Sequence, residues 1–460
     1  GKLEFKPVED YSKYTNDNLP NFKYQVSDTD GDYAEGKVNI KVKPVADAPT
    51  VTVKNIETTE DYNNTQEGTN KVALELKVPS LSRSGDKNKT ETGDSPERNG
   101  EITLKFTNGA NLVSKAEGSN IPNTGAKLFY IKDGESEPRE IDNFLINVNK
   151  NLKIVIVETS GSTTPDTKYH YDGLNPTAGK NEKVVYLTQK EYESLKIQHA
   201  EDNDTDIKFT INVKSYEVDD SGKPLNASDS TYADKTNSNL SKTTTANMTV
   251  IIKPVTDDIE LTFDYATVNG ETLGTISDDK KTFTYKNIDE GNKAIDLQAL
   301  LSKTSGALNG IGGTKADLDG SEIRTYKISD IPAGTVIVLD GKSYTVQDGK
   351  TSIEIPFPSN TKADPTFTMK FPENFSGEVK ATITLSVIDK GVEEKNDSTK
   401  WGETKEETVY LNLNVTSVAD EATLKVGQVV GYEDTARNTN KNIQDKDGTI
   451  KHPENGIALD

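Results

Sequence analysis

The chain has 460 residues, enough for about two to four domains, and no cysteine, which excludes disulfide staples, thiolate metal ligands and cysteine nucleophiles. Its 75 Asp and Glu against 54 Lys and Arg give a net charge of −21, which repels nucleic-acid phosphate and anionic lipid and attracts cations. Only 32% of residues are hydrophobic, so a core requires strict periodicity, and no apolar run approaches the ~18 residues of a membrane span.

In chain order, alternating runs predict half-buried strands at Phe22 to Val26, at Lys37 to Lys43 with Val38, Ile40 and Val42 on one face, at Ile102 to Phe106 and at Leu152 to Val157. Further strands are predicted at Ile207 to Val213, Met248 to Ile252, Val336 to Leu339, Val379 to Val387 and Val409 to Val415. Helix is scarce: one turn capped by Thr188 and running to Leu195, another at Leu297 to Leu301. Polar tracts at Ser80 to Asn99, Ser160 to Glu182 and Asp219 to Ala246 read as long surface loops. Short strands, regular turn signals and scarce helix predict an all-β sandwich class with Greek-key style connections.

One composite signature recurs: Val38 to Asp47 ending in Pro44-Val45-Ala46-Asp47, Met248 to Asp257 ending in Pro254-Val255-Thr256-Asp257, and Leu411 to Asp420 ending in Val418-Ala419-Asp420. A second alternating block precedes each, and acidic turns open the repeats at Glu60-Asp61 or Glu67-Gly68, at Asp289-Glu290-Gly291 and at Glu433-Asp434-Thr435. The expected division is therefore 1–49, the C-terminal part of an Ig-like repeat; 50–257, a repeat with long loop insertions; 258–420, a further repeat; and 421–460, the N-terminal part of another. Beginning at Gly1 with no signal-peptide pattern, the chain reads as an internal segment with its export signals elsewhere.

Asp319-Gly320-Ser321-Glu322, Ile331-Pro332-Ala333-Gly334, Pro372-Glu373-Asn374-Phe375-Ser376-Gly377 and Val418-Ala419-Asp420 follow in an order that resembles the Ig-like, cadherin-like extender repeats of giant RTX-type bacterial surface adhesins. The 50–257 repeat keeps Asn99-Gly100-Glu101-Ile102 but has Ala200-Glu201-Asp202-Asn203-Asp204 where the family carries its Asn-Phe-Ser-Gly turn. The resemblance implies a secreted protein of the bacterial cell surface, serving attachment and biofilm formation, whose repeats form an extended array and bind Ca2+ near their junctions. The partners it implies are neighbouring repeats of the same chain, and a host or surface ligand met through modules outside this segment.

Calcium takes six to eight oxygens, which carboxylates at alternate positions of a tight turn can supply. Asp28, Asp30 and Asp32 have that spacing, with Gly31 permitting a sharp turn, and Asp202, Asp204 and Asp206 repeat it. The junction acids are Asp47, Asp257 with Asp258, and Asp420, with Glu60 and Asp61 expected to reach back toward Asp47, and Asp289 and Glu290 in the corresponding turn of the next repeat. The competing account is that Asp-rich turns are solvated hairpin tips or cap backbone amides.

No catalytic motif accompanies these acids, and no enzymatic activity is expected. His170, His199 and His452 stand in polar surroundings and read as solvated loop residues, while Gly310-Ile311-Gly312-Gly313 lacks the strand-turn-helix context of a dinucleotide site. Two alternatives stay open: a glycan- or protein-binding module in the 50–257 repeat, since loops on rigid scaffolds carry function, and a secreted polysaccharide hydrolase, which needs paired carboxylates in a cleft.

Overall fold

The computed structural model describes residues 2–7, 11–12, 19–60, 71–81, 96–107, 126–146, 150–199, 203–226, 239–256, 258–264, 266–268, 271–291, 294–301, 321–357, 366–393, 396–419, 443–444 and 450–451. Asp61, Glu67-Gly68, Asp202, Asp257, Gly310 to Gly313, Asp319-Gly320, Asp420, Glu433 to Thr435 and His452 lie outside them. The protein is all-β, and the described helices are single turns: α1 (Gln189–Glu193) and α2 (Leu297–Leu300). Thr188 caps α1 in a reciprocal box with Glu191, as its sequence predicts.

The chain opens on a hairpin, β1 (Asn21–Ser27) against β2 (Tyr33–Asn39), with Phe22 opposite Val38. The strand predicted at 37–43 ends at Asn39, because β1 offers no partner beyond Asn21, and Ile40 is tied instead to the Pro20 carbonyl. Tyr24, Val26 and Val38 are exposed, so the half-buried face expected there is uncovered among the described residues.

The first sandwich comprises β3 (Ile56–Thr59), β4 (Val72–Ala73), β5 (Glu97–Asn99), β6 (Ile102–Phe106), β7 (Ala126–Ile131), β8 (Pro138–Ile146), β9 (Asn151–Ile156), β10 (Glu182–Leu187), β11 (Lys196–Gln198), β12 (Ile207–Glu217) and β13 (Ser241–Lys253). One sheet runs β10-β9-β6-β12-β13-β3, with β5 added on β12, and the facing sheet runs β4-β11-β7-β8. Strict alternation in β12 sends Ile207, Phe209, Ile211 and Val213 into the core, where Phe209 packs on Phe106 at 5.1 Å between centroids. The facing sheet contributes Leu128, Ile146 and Ile197 to the same core.

A short hairpin, β14 (Thr267–Val268) with β15 (Glu271–Thr272), follows the first core residues of the second sandwich, Leu261 and Phe263. That sandwich comprises β16 (Gly274–Ile276), β17 (Thr282–Tyr285), β18 (Ile288–Asp289), β19 (Ile295–Asp296), β20 (Glu322–Ser329), β21 (Val336–Leu339), β22 (Lys342–Thr345), β23 (Ser352–Phe357), β24 (Phe367–Lys370), β25 (Gly377–Asp389) and β26 (Lys405–Thr416). Its sheets run β16-β17-β26-β25-β20-β23, with β18 added on β26, and β19-β24-β21-β22. Tyr326, Phe283, Phe367 and Ile383 lie in its core. Beyond it, β27 (Ile443–Gln444) pairs with β28 (Ile450–Lys451).

Both sandwiches share one topological device. An early segment runs parallel to the closing strand, β3 beside β13 from Ile56 opposite Val250 to Thr59 opposite Lys253, and β17 then β18 beside β26 with Thr282 opposite Tyr410 and Ile288 opposite Val415. The residue after that segment therefore sits where the chain leaves the sandwich.

Candidate metal centre at the seam between the sandwiches

That topology decides where the acids go. Glu60 directly follows β3, is 3% exposed, and accepts the Val255 N–H at 2.6 Å while its own N–H donates to the Lys253 carbonyl. It therefore lies at the seam leading out of the first sandwich, and the expectation that it reaches back toward Asp47 is corrected: parallel pairing carries it to the opposite end. Glu290 repeats the arrangement in the second sandwich, accepting the Val418 N–H at 2.8 Å, with Asp289 receiving the Thr416 hydroxyl at 2.6 Å.

The segment Asn203 to Asp206 enters β12 beside Glu60's end of the sandwich and is buried throughout. Asp206 Oδ1 accepts the Ile252 N–H at 3.1 Å, and both oxygens of Asp204 accept the Val392 N–H across the seam at 3.0 and 2.9 Å. The second sandwich supplies Asp389 and Glu322, which face each other in register on β25 and β20 and are both buried. Asp389 N–H donates to Thr256 Oγ1 at 3.0 Å, and its Oδ1 accepts the Gly391 N–H at 2.8 Å. Gly402 closes the joint by donating to the Asp389 carbonyl at 2.8 Å, and a Cβ there would stand 2.6 Å from Thr256 Oγ1.

Positive charge at this seam comes from Lys208, 2.5 Å from Glu393 and 3.8 Å from Asp206, and from Arg324, 3.2 Å from Glu322. Burial pushes the Asp206 carboxyl up to about 6; the Ile252 amide and Lys208 oppose that rise, and the neighbouring Glu393 adds to it. Carboxylates gathered in a partly desolvated joint are costly until a cation compensates them.

The upstream seam repeats the pattern with different residues. The Asp47 N–H donates to the Glu97 carboxylate and its carbonyl accepts the Ser215 hydroxyl. Glu97 faces Glu217 in register on β5 and β12, and both are buried, at the strand position that Glu322 and Asp389 occupy in the second sandwich.

Asp28, Asp30 and Asp32 come together at the β1–β2 tip, and among the described residues they form the group whose ligand oxygens all lie within 4.8 Å of one another. All are exposed, and Asp28 Oδ1 accepts the amides of Gly31 and Asp32 at 3.1 and 3.0 Å. Hydrogen bonding with Asp30 is the main cause holding the Asp28 carboxyl below its usual range. The tip lies at the opposite end of the hairpin from Asn39, and so away from Asp47; the single junction set expected from Asp28, Asp30, Asp32, Asp47 and Glu60 does not assemble. Asp258 is exposed and paired with Lys405 at 2.6 Å.

Glu97, Glu217, Glu322, Asp389 and Glu393 escaped the sequence reading. Glu97 was hidden inside a polar tract, Glu322 stood only as the close of the phrase that begins at Asp319, Glu217 and Asp389 gave no signal beyond their place at strand ends, and Glu393 lies in the loop after β25. His170 and His199 are corrected as well: both are buried. His170 accepts the Ile156 N–H at Nε2 (2.8 Å) and lies 3.1 Å from the Asn99 carbonyl at Nδ1, and burial pushes its pKa down to about 4.

No family model matches the chain, and no curated protein matches it. Among solved structures, it is similar to CfaE, the adhesive subunit of the CFA/I fimbria of enterotoxigenic Escherichia coli, at 10% identity and TM-score 0.22 over 81% of this chain and 98% of that one. The chicken CNTN1 FN1–FN3 domains give 9% identity and TM-score 0.14, covering 86% and 77% of the two chains. Extracellular cadherin domains 1–5 of protocadherin gamma B2 give 11% and 0.15, covering 89% and 74%. Likeness at this level fixes neither fold nor function.

Proposed function

We propose that this chain is a calcium-stiffened spacer of a bacterial surface adhesin, whose successive sandwiches hold an adhesive module away from the cell. The observation that carries the reading is the central seam, where buried Glu60, Asp204 and Asp206 of one sandwich meet buried Glu322 and Asp389 of the next. The donor set is all oxygen and rich in carboxylate, without histidine or cysteine among the residues named, which suits a hard divalent ion such as Ca2+. Glu60, Asp204, Asp206 and Asp389 line this seam without bringing three ligand oxygens within 4.8 Å of one another, so they would have to draw together to hold an ion, and bound calcium would supply the positive charge that turns mutual repulsion into a joint. The recurrence of facing acids at the upstream seam supports a repeated device.

Trp401, the chain's one tryptophan, reports on this joint, since it adjoins Gly402 and has the Lys390 ammonium 4.3 Å from its ring centroid. Calcium is expected to change its fluorescence saturably and to raise the melting temperature, by about 2.7 kcal/mol of stability at a hundredfold excess over Kd. A melting curve and a scattering length indifferent to excess chelator would sink the reading.

A second reading, a glycan- or protein-binding module in the first sandwich, is favoured by one feature. A cavity of about 760 Å³ opens beside α1, with Val78 and Ile156 on its apolar side and Asp133, Asp166 and Lys190 on its polar side. A glycan array probed with residues 50–257 tests it, and silence across the array removes it.

A further inference from the structure

We infer that the outer edge of β10 is a docking site for an extended peptide strand, a function separate from the calcium seams. β10 ends the larger sheet of the first sandwich, and it pairs only with β9, in parallel, among the described residues. Two bonds fix which of its backbone groups that pairing uses: Asn151 N–H donates to the Asn181 carbonyl, and Val157 N–H to the Leu187 carbonyl. Backbone groups alternate along a strand, so residues 181, 183, 185 and 187 turn toward β9, while the N–H and C=O of Val184 and Tyr186 turn toward the open edge.

Past Glu182 and Lys183, the edge carries neither the proline nor the shortening that keeps sheet edges from pairing. In the second sandwich the corresponding terminal strand β23 is interrupted by Pro356, and the other terminal strand, β16, is short. β10 instead reads Glu-Lys-Val-Val-Tyr-Leu, a strand-favouring run without proline or glycine. The edge is also walled. A slot of about 310 Å³ runs along it, bounded by Glu140 and Asp142 of β8, itself the last strand of the facing sheet, and by Gly161 and Thr163 of the inserted loop.

These features select the occupant. Paired donors and acceptors at two-residue spacing are matched by another backbone in extended conformation, which neither a sugar nor a simple anion provides. A folded second copy would have to bring an edge strand of its own into the slot between β8 and the inserted loop, whereas a single extended peptide needs only the width of one strand. Of the slot's acids, Glu140 is already paired with Lys127 at 3.0 Å, and the Lys183 ammonium is turned to the Asp142 carbonyl, which leaves the Asp142 carboxylate to meet a basic residue at one flank of a peptide that is apolar at alternate positions.

The test uses the whole chain and, as probe, a blocked heptapeptide Lys-Thr-Val-Thr-Val-Thr-Lys. In the free protein, hydrogen exchange is expected to be fast at the Val184 and Tyr186 amides and slow at Val185 and Leu187, and the peptide should protect the first pair. Val184→Pro removes an outward N–H without touching the β9 ladder, and should abolish binding with the melting temperature unchanged. An N-methylated peptide offered to the unaltered chain, which needs no variant to fold, should bind at least about tenfold more weakly. The inference is overturned if Val184 and Tyr186 are already protected in the free chain, if no saturable binding occurs, if N-methylation leaves binding unchanged, or if sedimentation shows a dimer that Val184→Pro dissolves. Calcium binding at the seams bears on none of these outcomes.

Discussion

The two sandwiches share four consecutive central strands and differ at their margins. The order β9-β6-β12-β13 answers to β23-β20-β25-β26, and each closing strand takes an early segment of its own sandwich in parallel, β3 on β13 and β17 with β18 on β26. The first sandwich then adds residues 157–181 and β10 at one edge, where the second stops at a proline-bearing strand. The inserted loop is held from within: His170 is buried against Asn99 and Ile156, and the Asp166 and His170 amides continue the chain of backbone bonds. A common frame thus recurs in both sandwiches, while the edge is where one copy acquires features that the other lacks.

The largest expected effect separates the two cores. Phe209→Ala removes a ring that is 2% exposed and packed on Phe106, and should cost about 3–5 kcal/mol. If the sandwiches unfold independently, calorimetry will show one transition shifted down and the other unmoved; a common shift of both would mean that the seam couples them into one unit.

Acid should distinguish the sandwiches next. His170 is held neutral, its pKa lowered from 6.5 to about 4 chiefly by burial. The unfolded chain binds the proton first, so this group's contribution to stability is full above pH 6.5 and is lost as pH falls toward 4, amounting to about 3 kcal/mol. Residues 258–420 contain no histidine, so their transition should lack this slope. Thermal melts of wild type and His170→Gln between pH 7 and 4 check the sign: the variant should be less stable at neutral pH and flatter in acid.

The smallest effect concerns the seam. Gly402→Ala would push a methyl group against Thr256, and should cost about 1–3 kcal/mol in the joint while leaving both cores intact. The expected reading is a wider range of inter-sandwich distances by scattering, with both calorimetric transitions retained. An unchanged distance distribution would show that the Thr256 contact does not hold the joint closed.

Much of this was legible in the sequence because alternation is a local signal. The strands at Ile102 to Phe106 and Val336 to Leu339, and the cap formed by Thr188 and Glu191, all follow from near neighbours. The acids at the seam were harder. Asp204 and Asp206 announced themselves by spacing, but Glu97 and Glu217, or Glu322 and Asp389, become neighbours only through strand register, which sequence spacing does not encode. Glu60 was placed at the wrong end for the same reason: whether an opening strand pairs parallel or antiparallel with the closing one reverses which seam its last residue meets. His170 looked solvated because its polar neighbours in sequence are not its neighbours in space.

The parallel pairing of opening and closing strands has one more consequence. When such a chain is pulled from both ends, tension enters the first sandwich at the start of β3 and leaves at the end of β13, and these two strands lie side by side. The pull then slides one strand along the other and strains every bond between them at once, whereas strands that met tip to tip would unzip a bond at a time. A sandwich built this way resists such a pull before its core has to open.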